Sequence, residues 1–218
     1  MLARPEVRMK PGVTFSRLGA SEIAAGAFLQ LPSLQIVDAV SKPLGSARTE
    51  RIGGLGHEAA RHFARLDADK VIPAVRDLDK GEAAKKSIED TTNRKGVVEP
   101  WQLGLNFKGF IEALVKRAKG LKRLDVVVEN AGLFTMDHAE TEGNEITIAV
   151  SVIGTFLLVL MILPKLRETA KNLNLAAHLS IVTSEAHAWT AFPERNSPSI
   201  FEALNNKRTG RMADRYTG

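Results

Sequence analysis

The sequence predicts a single α/β domain built on a doubly wound parallel sheet. Two observations carry this prediction: helix-like and strand-like segments alternate from Gly53 onward, and one strand-like segment is apolar throughout. The length of 218 residues suits one domain of this class and is short for two. The apolar share of 44% and the charged share of 25% are typical of a folded globular chain.

Each predicted element follows from its own periodicity. The first helix places Ala59, Ala60, Phe63 and Leu66 on one face, which is amphipathic spacing. The strand LDVVVEN has a continuous apolar run, as expected of a parallel strand that is covered on both faces. In chain order the elements are a helix in GHEAARHFARL, a strand in KVIPAV, a helix in GEAAKKSIEDT, a strand in GVVEPWQL, a helix in FIEALVKRA, a strand in LDVVVEN, a long apolar helix and a strand in HLSIVTS.

The long apolar helix, Ile146 to Leu163, contains no charge, and its length reaches the lower limit for a membrane span. Its polar and small residues, Thr147, Ser151, Gly154 and Thr155, recur at helical spacing and form one stripe. Such a stripe suits contact with a sheet or a site, and it also suits a pair of membrane helices. Because βαβ patterns flank it on both sides, we favour a buried helix or a subunit interface that would support a homo-oligomer.

The composition excludes several kinds of chemistry. The chain has no cysteine, which rules out disulfides, thiolate nucleophiles and cysteine-bound zinc and suits a reducing, cytoplasmic location. Five scattered histidines lack metal-ligand spacing, so we expect no metal. The net charge is +5, but the densest basic patch, KRAKGLKR, has no interleaved aromatic residues, so we expect no nucleic acid partner.

The domain boundary is predicted near residue 40. Residues 1–40 read as an N-terminal extension that is partly irregular, and residues 41–218 read as the α/β domain. The extension is weakly similar to an organelle presequence and unlike a secretory signal, whose basic residues would directly precede the apolar run.

The turn TERIGGLG is rich in glycine and precedes a helix. It resembles the TGxxxGxG motif of the short-chain dehydrogenases/reductases, with Thr49, Gly54 and Gly56 in register. Glycines let the backbone approach the phosphates of a dinucleotide, and the helix offers its free N–H groups. The resemblance implies a Rossmann-type fold in which Thr49, Gly54, Leu55 and Gly56 contact the cofactor.

Two further segments resemble cofactor-binding motifs of that family. AVRDLDKGEAA is similar to the strand end of NADP-preferring members, which implies that Arg76 pairs with the ribose 2′-phosphate of NADP(H). The strand LDVVVEN leads into Asn130, Ala131 and Gly132, the NAG of the family's NNAG motif, which lies beside the cofactor.

The resemblance also implies three catalytic residues. AVSVIGTFLL is similar to the helix that carries VNxxGxF, and Ser151 stands at the position of its relay asparagine. HLSIVTSEAH is similar to the strand that carries the catalytic serine, which corresponds to Ser184 and would bind the substrate carbonyl. MADRYTG resembles the start of a YxxxK motif, so Tyr216 would be the acid and base and would also touch the cofactor.

The sequence departs from the family pattern at several points. Glu50 replaces the first glycine of the turn, Gly104 replaces an aspartate of the adenine region, and Gly218 ends the chain before the family's lysine. The strand-like segment LQIVDAV ends well before Thr49, so the first strand is expected to be displaced or missing, and the C-terminal strands and helix are expected to be absent. The Rossmann sheet is thus expected to be incomplete.

Two functions fit this sequence. The first is an NADP-dependent oxidoreductase that transfers hydride between NADPH and a small ketone or secondary alcohol, in a fungal branch of the family linked to secondary metabolism. The second is a truncated, catalytically inactive remnant or a pseudoenzyme that still binds the cofactor.

Overall fold

The computed structural model describes residues 34–38, 54–208 and Met212, with side chains for all but the first of these ranges and Ala186. Thr49, Glu50 and Tyr216 lie outside the described residues. Within those residues one parallel sheet has the strand order β3-β2-β1-β4-β7. Its strands are β1 (Leu34–Asp38), β2 (Lys70–Val75), β3 (Trp101–Gln102), β4 (Val126–Glu129) and β7 (His178–Ile181).

The remaining elements are helices and one small antiparallel hairpin. The hairpin consists of β5 (Glu140–Thr141) and β6 (Asn144–Glu145). The helices are α1 (Leu55–Arg65), α2 (Leu78–Thr92), α3 (Lys108–Lys119), α4 (Ile146–Leu173) and α5 (Ile200–Asn205), with 3₁₀ turns at Glu185–Trp189 and Pro193–Asn196.

The first strand is present, so its expected loss is corrected by the structure, whereas its expected displacement along the chain, well before Thr49, is confirmed. Leu34–Asp38, the start of the segment LQIVDAV, forms β1 and lies at the centre of the sheet. Ile36 is in register with Ile72 of β2 on one side and with Val127 of β4 on the other. The sheet therefore begins inside the segment that was expected to be an extension, because two neighbouring strands supply parallel partners for a short apolar run.

Helices cover both faces of the sheet. Val71, Val126 and Val128 point to the face covered by α1 and α2, where Phe63 and Ile88 are buried. Ile72 and Val127 point to the opposite face, where α3 and α4 pack. Because neighbouring strand residues alternate between faces, a strand without polar alternation is what a doubly wound sheet requires. The predicted α/β class is confirmed.

The strand predicted in GVVEPWQL is interrupted. Val98 forms an isolated bridge with Val71, and the strand resumes at Trp101–Gln102. Pro100 lies between the two pieces, and it has no N–H group with which to extend the ladder.

Among the described residues, α4 is a helix long and apolar enough to cross a membrane, and 44% of its most apolar stretch is buried. Core helices of globular domains meet the same criterion. Its stripe of polar and small residues faces inward, since Thr147, Gly154 and Thr155 are buried. Its opposite face exposes Phe156 and Leu160.

Candidate cofactor and substrate site

The predicted site residues gather at one edge of the sheet. Gly54 to Gly56 begin the helix that follows β1, Arg76 follows β2, Asn130 to Gly132 follow β4, and Ser184 follows β7. These four strands are parallel, so their carboxyl ends lie at the same edge. Doubly wound folds bind their ligands outside this edge.

The N-terminus of α1 has the features of a phosphate-binding turn. Gly54 has φ 148° and ψ 169°, a conformation that favours glycine, and no side-chain cap is bonded to the helix start within the described residues. Gly56 is buried in the first turn, next to exposed Leu55. The first N–H groups of α1 and its positive dipole end are therefore available to an anion.

His57 lies in the same turn, and its surroundings favour the neutral form of the imidazole. Burial, and then the charge of Arg61, lower its pKa below 6.5, which outweighs the opposing effect of Glu58. The Arg61 guanidinium lies 3.1 Å from His57 Nε2, and because arginine only donates, this nitrogen accepts. The hydrogen is then on Nδ1, a buried atom that has no partner among the described residues.

Arg76 stands directly after the last residue of β2. Its side chain is exposed, and within the described part of the chain it makes no hydrogen bond or ion pair. The next residue, Asp77, is engaged differently, because its carboxylate caps α2 by accepting from Asp79 N at 3.0 Å and Lys80 N at 3.2 Å. No described residue therefore occupies the guanidinium of Arg76.

The NAG turn follows β4 next to the central strand. Asn130 is buried, and its Nδ2 has no hydrogen-bond partner in the described residues. The preceding residue, Glu129, is also buried, and its carbonyl oxygen accepts from Val182 N at 2.8 Å. Ala131 and Gly132 are partly exposed. The turn therefore holds a buried amide donor at the ligand edge of the sheet.

Ser151 is tied to that turn by a direct hydrogen bond. Its Oγ accepts from Leu133 N at 3.1 Å, one residue beyond Gly132. Ser151 lies in a π-helical turn of α4, Ala149–Gly154, where the Thr155 hydroxyl donates to the Val150 carbonyl oxygen at 3.1 Å. Such turns inside α-helices occur often at functional sites. The contact between Ser151 and Leu133 joins α4 to the NAG turn, and the proton-relay role expected of Ser151 stays a prediction.

Ser184 lies three residues beyond β7 and is partly exposed. Its carbonyl oxygen accepts from His187 Nδ1 at 2.7 Å, which fixes the 3₁₀ turn that follows. This contact gives His187 a local structural role. Ser184 and Ser151 thus come from neighbouring parts of the same edge, whereas Tyr216 lies outside the described residues.

The loop after β3 lies at the same edge. Leu103 N donates to Val75 O at 2.8 Å, and Gly104 is buried next to it. A Cβ at Gly104 would lie 3.1 Å from Asn106 Oδ1 and 3.2 Å from the Phe110 ring. The aspartate that the family has at this position would therefore require both side chains to shift.

Apolar side chains are exposed beside Ser184 and the NAG turn. Trp189, in the 3₁₀ turn after Ser184, is 75% exposed, and Met136, four residues after Gly132, is 61% exposed. Because β4 and β7 are neighbours, the two loops leave the sheet side by side. The surroundings of the candidate carbonyl site are in part apolar.

Asn205 and Glu145 were missed by the sequence reasoning. Asn205 binds the β5–β6 hairpin across 60 positions of sequence, and Glu145 is a fully buried carboxylate at the start of α4. An acidic residue just before an apolar helix is the N-cap signal that predicts the role of Glu145. No sequence pattern predicts the contact of Asn205.

The fold and site are those of a Rossmann-type dinucleotide-binding domain. They combine a central parallel sheet, a glycine turn at a helix N-terminus and an arginine at the end of the next strand. Comparison with known proteins gives the family. The model of the short chain dehydrogenase family matches residues 49–180. The chain belongs to this family, whose members are oxidoreductases that bind a nicotinamide dinucleotide.

Relatives and solved structures agree with this assignment. The chain is 46% identical over 190 residues to short chain dehydrogenase atnD of Emericella nidulans, covering 86% of this chain and 59% of that protein. It is 42% identical over 164 residues to short chain dehydrogenase FGM9 of Gibberella zeae, covering 75% and 48%. This chain thus spans about half the length of these curated relatives.

A solved structure supports the fold. The short-chain dehydrogenase from Sphingobium yanoikuyae in complex with NADPH superposes with a TM-score of 0.55 at 18% identity, covering 79% of this chain and 60% of that one.

Proposed function

We propose that this chain binds NADP(H) at the carboxyl edge of its sheet and transfers hydride between NADPH and an apolar ketone or secondary alcohol. The observation that carries the proposal is Arg76, an exposed guanidinium that has no hydrogen-bond or ion-pair partner among the described residues and lies at the end of the strand next to β1. Arginine binds phosphate with two parallel hydrogen bonds, and only NADP carries a phosphate on the adenine ribose.

The other residues fit the same cofactor. Gly54 lets the backbone approach a pyrophosphate, and the first N–H groups of α1 can donate to it. The buried Nδ2 of Asn130 is a donor that a cofactor oxygen can satisfy. The complex of the Sphingobium protein with NADPH supports the choice of cofactor by analogy of fold.

The chemistry follows from the family. Bound NADPH would supply the hydride to the carbonyl carbon, and a proton must reach the carbonyl oxygen. We propose that the hydroxyl of Ser184 donates a hydrogen bond to that oxygen and that Tyr216 supplies the proton. Exposed Trp189 and Met136 would contact the apolar part of the substrate. We propose a cytoplasmic location and a setting in secondary metabolism.

A fluorescence titration with NADPH, run in parallel with NADH, tests the cofactor proposal. Binding of NADPH that is tighter than that of NADH supports it, and the absence of NADPH binding contradicts it. A second assay follows the loss of NADPH absorbance with an aryl ketone and with an aliphatic ketone. Ketone-dependent loss supports hydride transfer.

The alternative is a protein that binds the cofactor without turning it over. It is favoured by Ser151, whose Oγ is engaged by Leu133 N where the family has a relay asparagine. NADPH binding without ketone-dependent oxidation would select this alternative.

A further inference from the structure

The β5–β6 hairpin, Glu140–Glu145, is fixed to the loop that precedes α3. The Thr141 hydroxyl donates to the Asn106 carbonyl oxygen at 2.8 Å, and Lys108 N donates to Glu142 Oε2 at 3.0 Å. The hairpin is therefore held from the side of the sheet where the loop after β3, with Gly104, lies.

Asn205, which lies 60 positions after Glu145 in the chain, binds the same hairpin. Its Oδ1 accepts from Glu145 N at 2.8 Å, and its Nδ2 donates to the Gly143 carbonyl oxygen and to Asn144 Oδ1, both at 3.2 Å. Asn205 is the last residue of α5, which is anchored by buried Leu204. Both the oxygen and the nitrogen of this side-chain amide therefore bind the hairpin. Asn205 itself lies in the segment of the chain between Ser184 and Tyr216.

The hairpin in turn determines where α4 begins. The Glu145 side chain is fully buried, and its carboxylate accepts from Thr147 N at 3.0 Å and from Ile148 N at 3.2 Å. These bonds cap the helix whose π-helical turn carries Ser151. The Ser151 hydroxyl then accepts from Leu133 N, beside the NAG turn.

We propose that Asn205 is a positioning residue of the cofactor site. Its amide fixes the segment after Ser184 to the hairpin, and through the cap of α4 it holds Ser151 and the NAG turn in place. This inference rests on the proposed function, because it assigns a positioning residue to the same cofactor site. A residue that only stabilised α5 would have no effect on the NAG turn.

The first test is hydrogen exchange in Asn205→Ala. Hydrogen exchange of the Glu145, Thr147 and Leu133 amides is expected to accelerate about fivefold relative to exchange of the amides of β2. A factor of about five corresponds to the net contribution of one hydrogen bond to stability. The matched control is Asn206→Ala, which removes one exposed bond from Arg208 N to Asn206 Oδ1. It should leave all of these amides unchanged.

A second variant removes only half of the contact. Asn205→Asp keeps an acceptor for Glu145 N but places a carboxylate oxygen against the Gly143 carbonyl oxygen and Asn144 Oδ1, so exchange at Leu133 is expected to rise at least as much as in Asn205→Ala. Wild-type exchange in Asn205→Asp overturns the proposal. Acceleration at the hairpin alone, or equal acceleration throughout the sheet, also overturns it.

The NADPH dissociation constant gives a readout that a role confined to α5 would not change. It is expected to rise about fivefold in Asn205→Ala and to stay within error in Asn206→Ala. An unchanged constant in Asn205→Ala overturns the proposal. If the wild-type chain does not bind NADPH, the proposed function fails, and hydrogen exchange alone decides the role of Asn205.

Discussion

Gly154 of α4 lies directly against the backbone of Leu105. A Cβ at position 154 would lie 2.9 Å from the Leu105 Cβ and closer still to its carbonyl oxygen. The absence of a side chain therefore lets the helix that carries Ser151 approach the loop after β3. This contact places α4 and the loop after β3 next to each other at the ligand edge of the sheet.

Gly154→Ala is expected to destabilise the fold by about 1–3 kcal/mol, because overpacking against backbone cannot be relieved by rotating a side chain. Urea unfolding measures the change. The comparison is Gly109→Ala in α3, where the new methyl would lie 2.8 Å from the ring of Phe107, an exposed side chain that can move aside more readily than backbone. This variant should lose less stability than Gly154→Ala, and an equal loss in both would contradict the role assigned to Gly154.

Ser151→Ala is expected to cost about 1 kcal/mol of stability, because Leu133 N loses its hydrogen-bond acceptor. It should also weaken NADPH binding, since Leu133 adjoins the NAG turn. Thermal unfolding and NADPH titration measure the two effects. Ser180→Ala, at an exposed position of β7, is the matched control. The same result in both variants would argue against the contact.

Arg76→Ala is expected to raise the NADPH dissociation constant about tenfold or more. A change of this size corresponds to the loss of one charge-assisted hydrogen bond. The NADH dissociation constant should change little, because NADH has no 2′-phosphate. Parallel titrations measure both constants. Arg65→Ala, an exposed arginine at the far end of α1, is the control. Equal weakening of both cofactors in Arg76→Ala would refute the pairing.

His57 is expected to make the fold less stable in acid. Its pKa in the folded state is lowered, mainly by burial, from 6.5, so the unfolded chain binds the proton more readily. The stabilisation is present above the unfolded pKa and is lost as pH falls toward the folded pKa. His57→Gln lacks this titration and should lose less stability between neutral and mildly acidic pH.

Urea unfolding of His57→Gln and wild type at both pH values measures the difference. His62→Gln, on the same helix, should keep the pH dependence of the wild type because His57 is intact. An identical pH dependence in His57→Gln and wild type would contradict the assignment.

Much of the fold was accessible from local sequence. α1, α2, α3 and β2 follow from periodicity, because each element buries one face or both faces against a neighbour. The positions of Arg76 and Asn130 followed as well, since residues after parallel strands must meet at one edge. Their roles remain predictions.

The first strand and the contacts of the site could not be obtained in this way. The sequence by itself determined the α/β class, the family motifs and the order of the site residues, because these depend on local periodicity and spacing. Only the tertiary structure decided that Leu34–Asp38 is central, that Ser151 binds Leu133, and that Asn205 holds the hairpin. Each of these depends on groups far apart in the chain, and their contacts form only when the sheet and its helices pack.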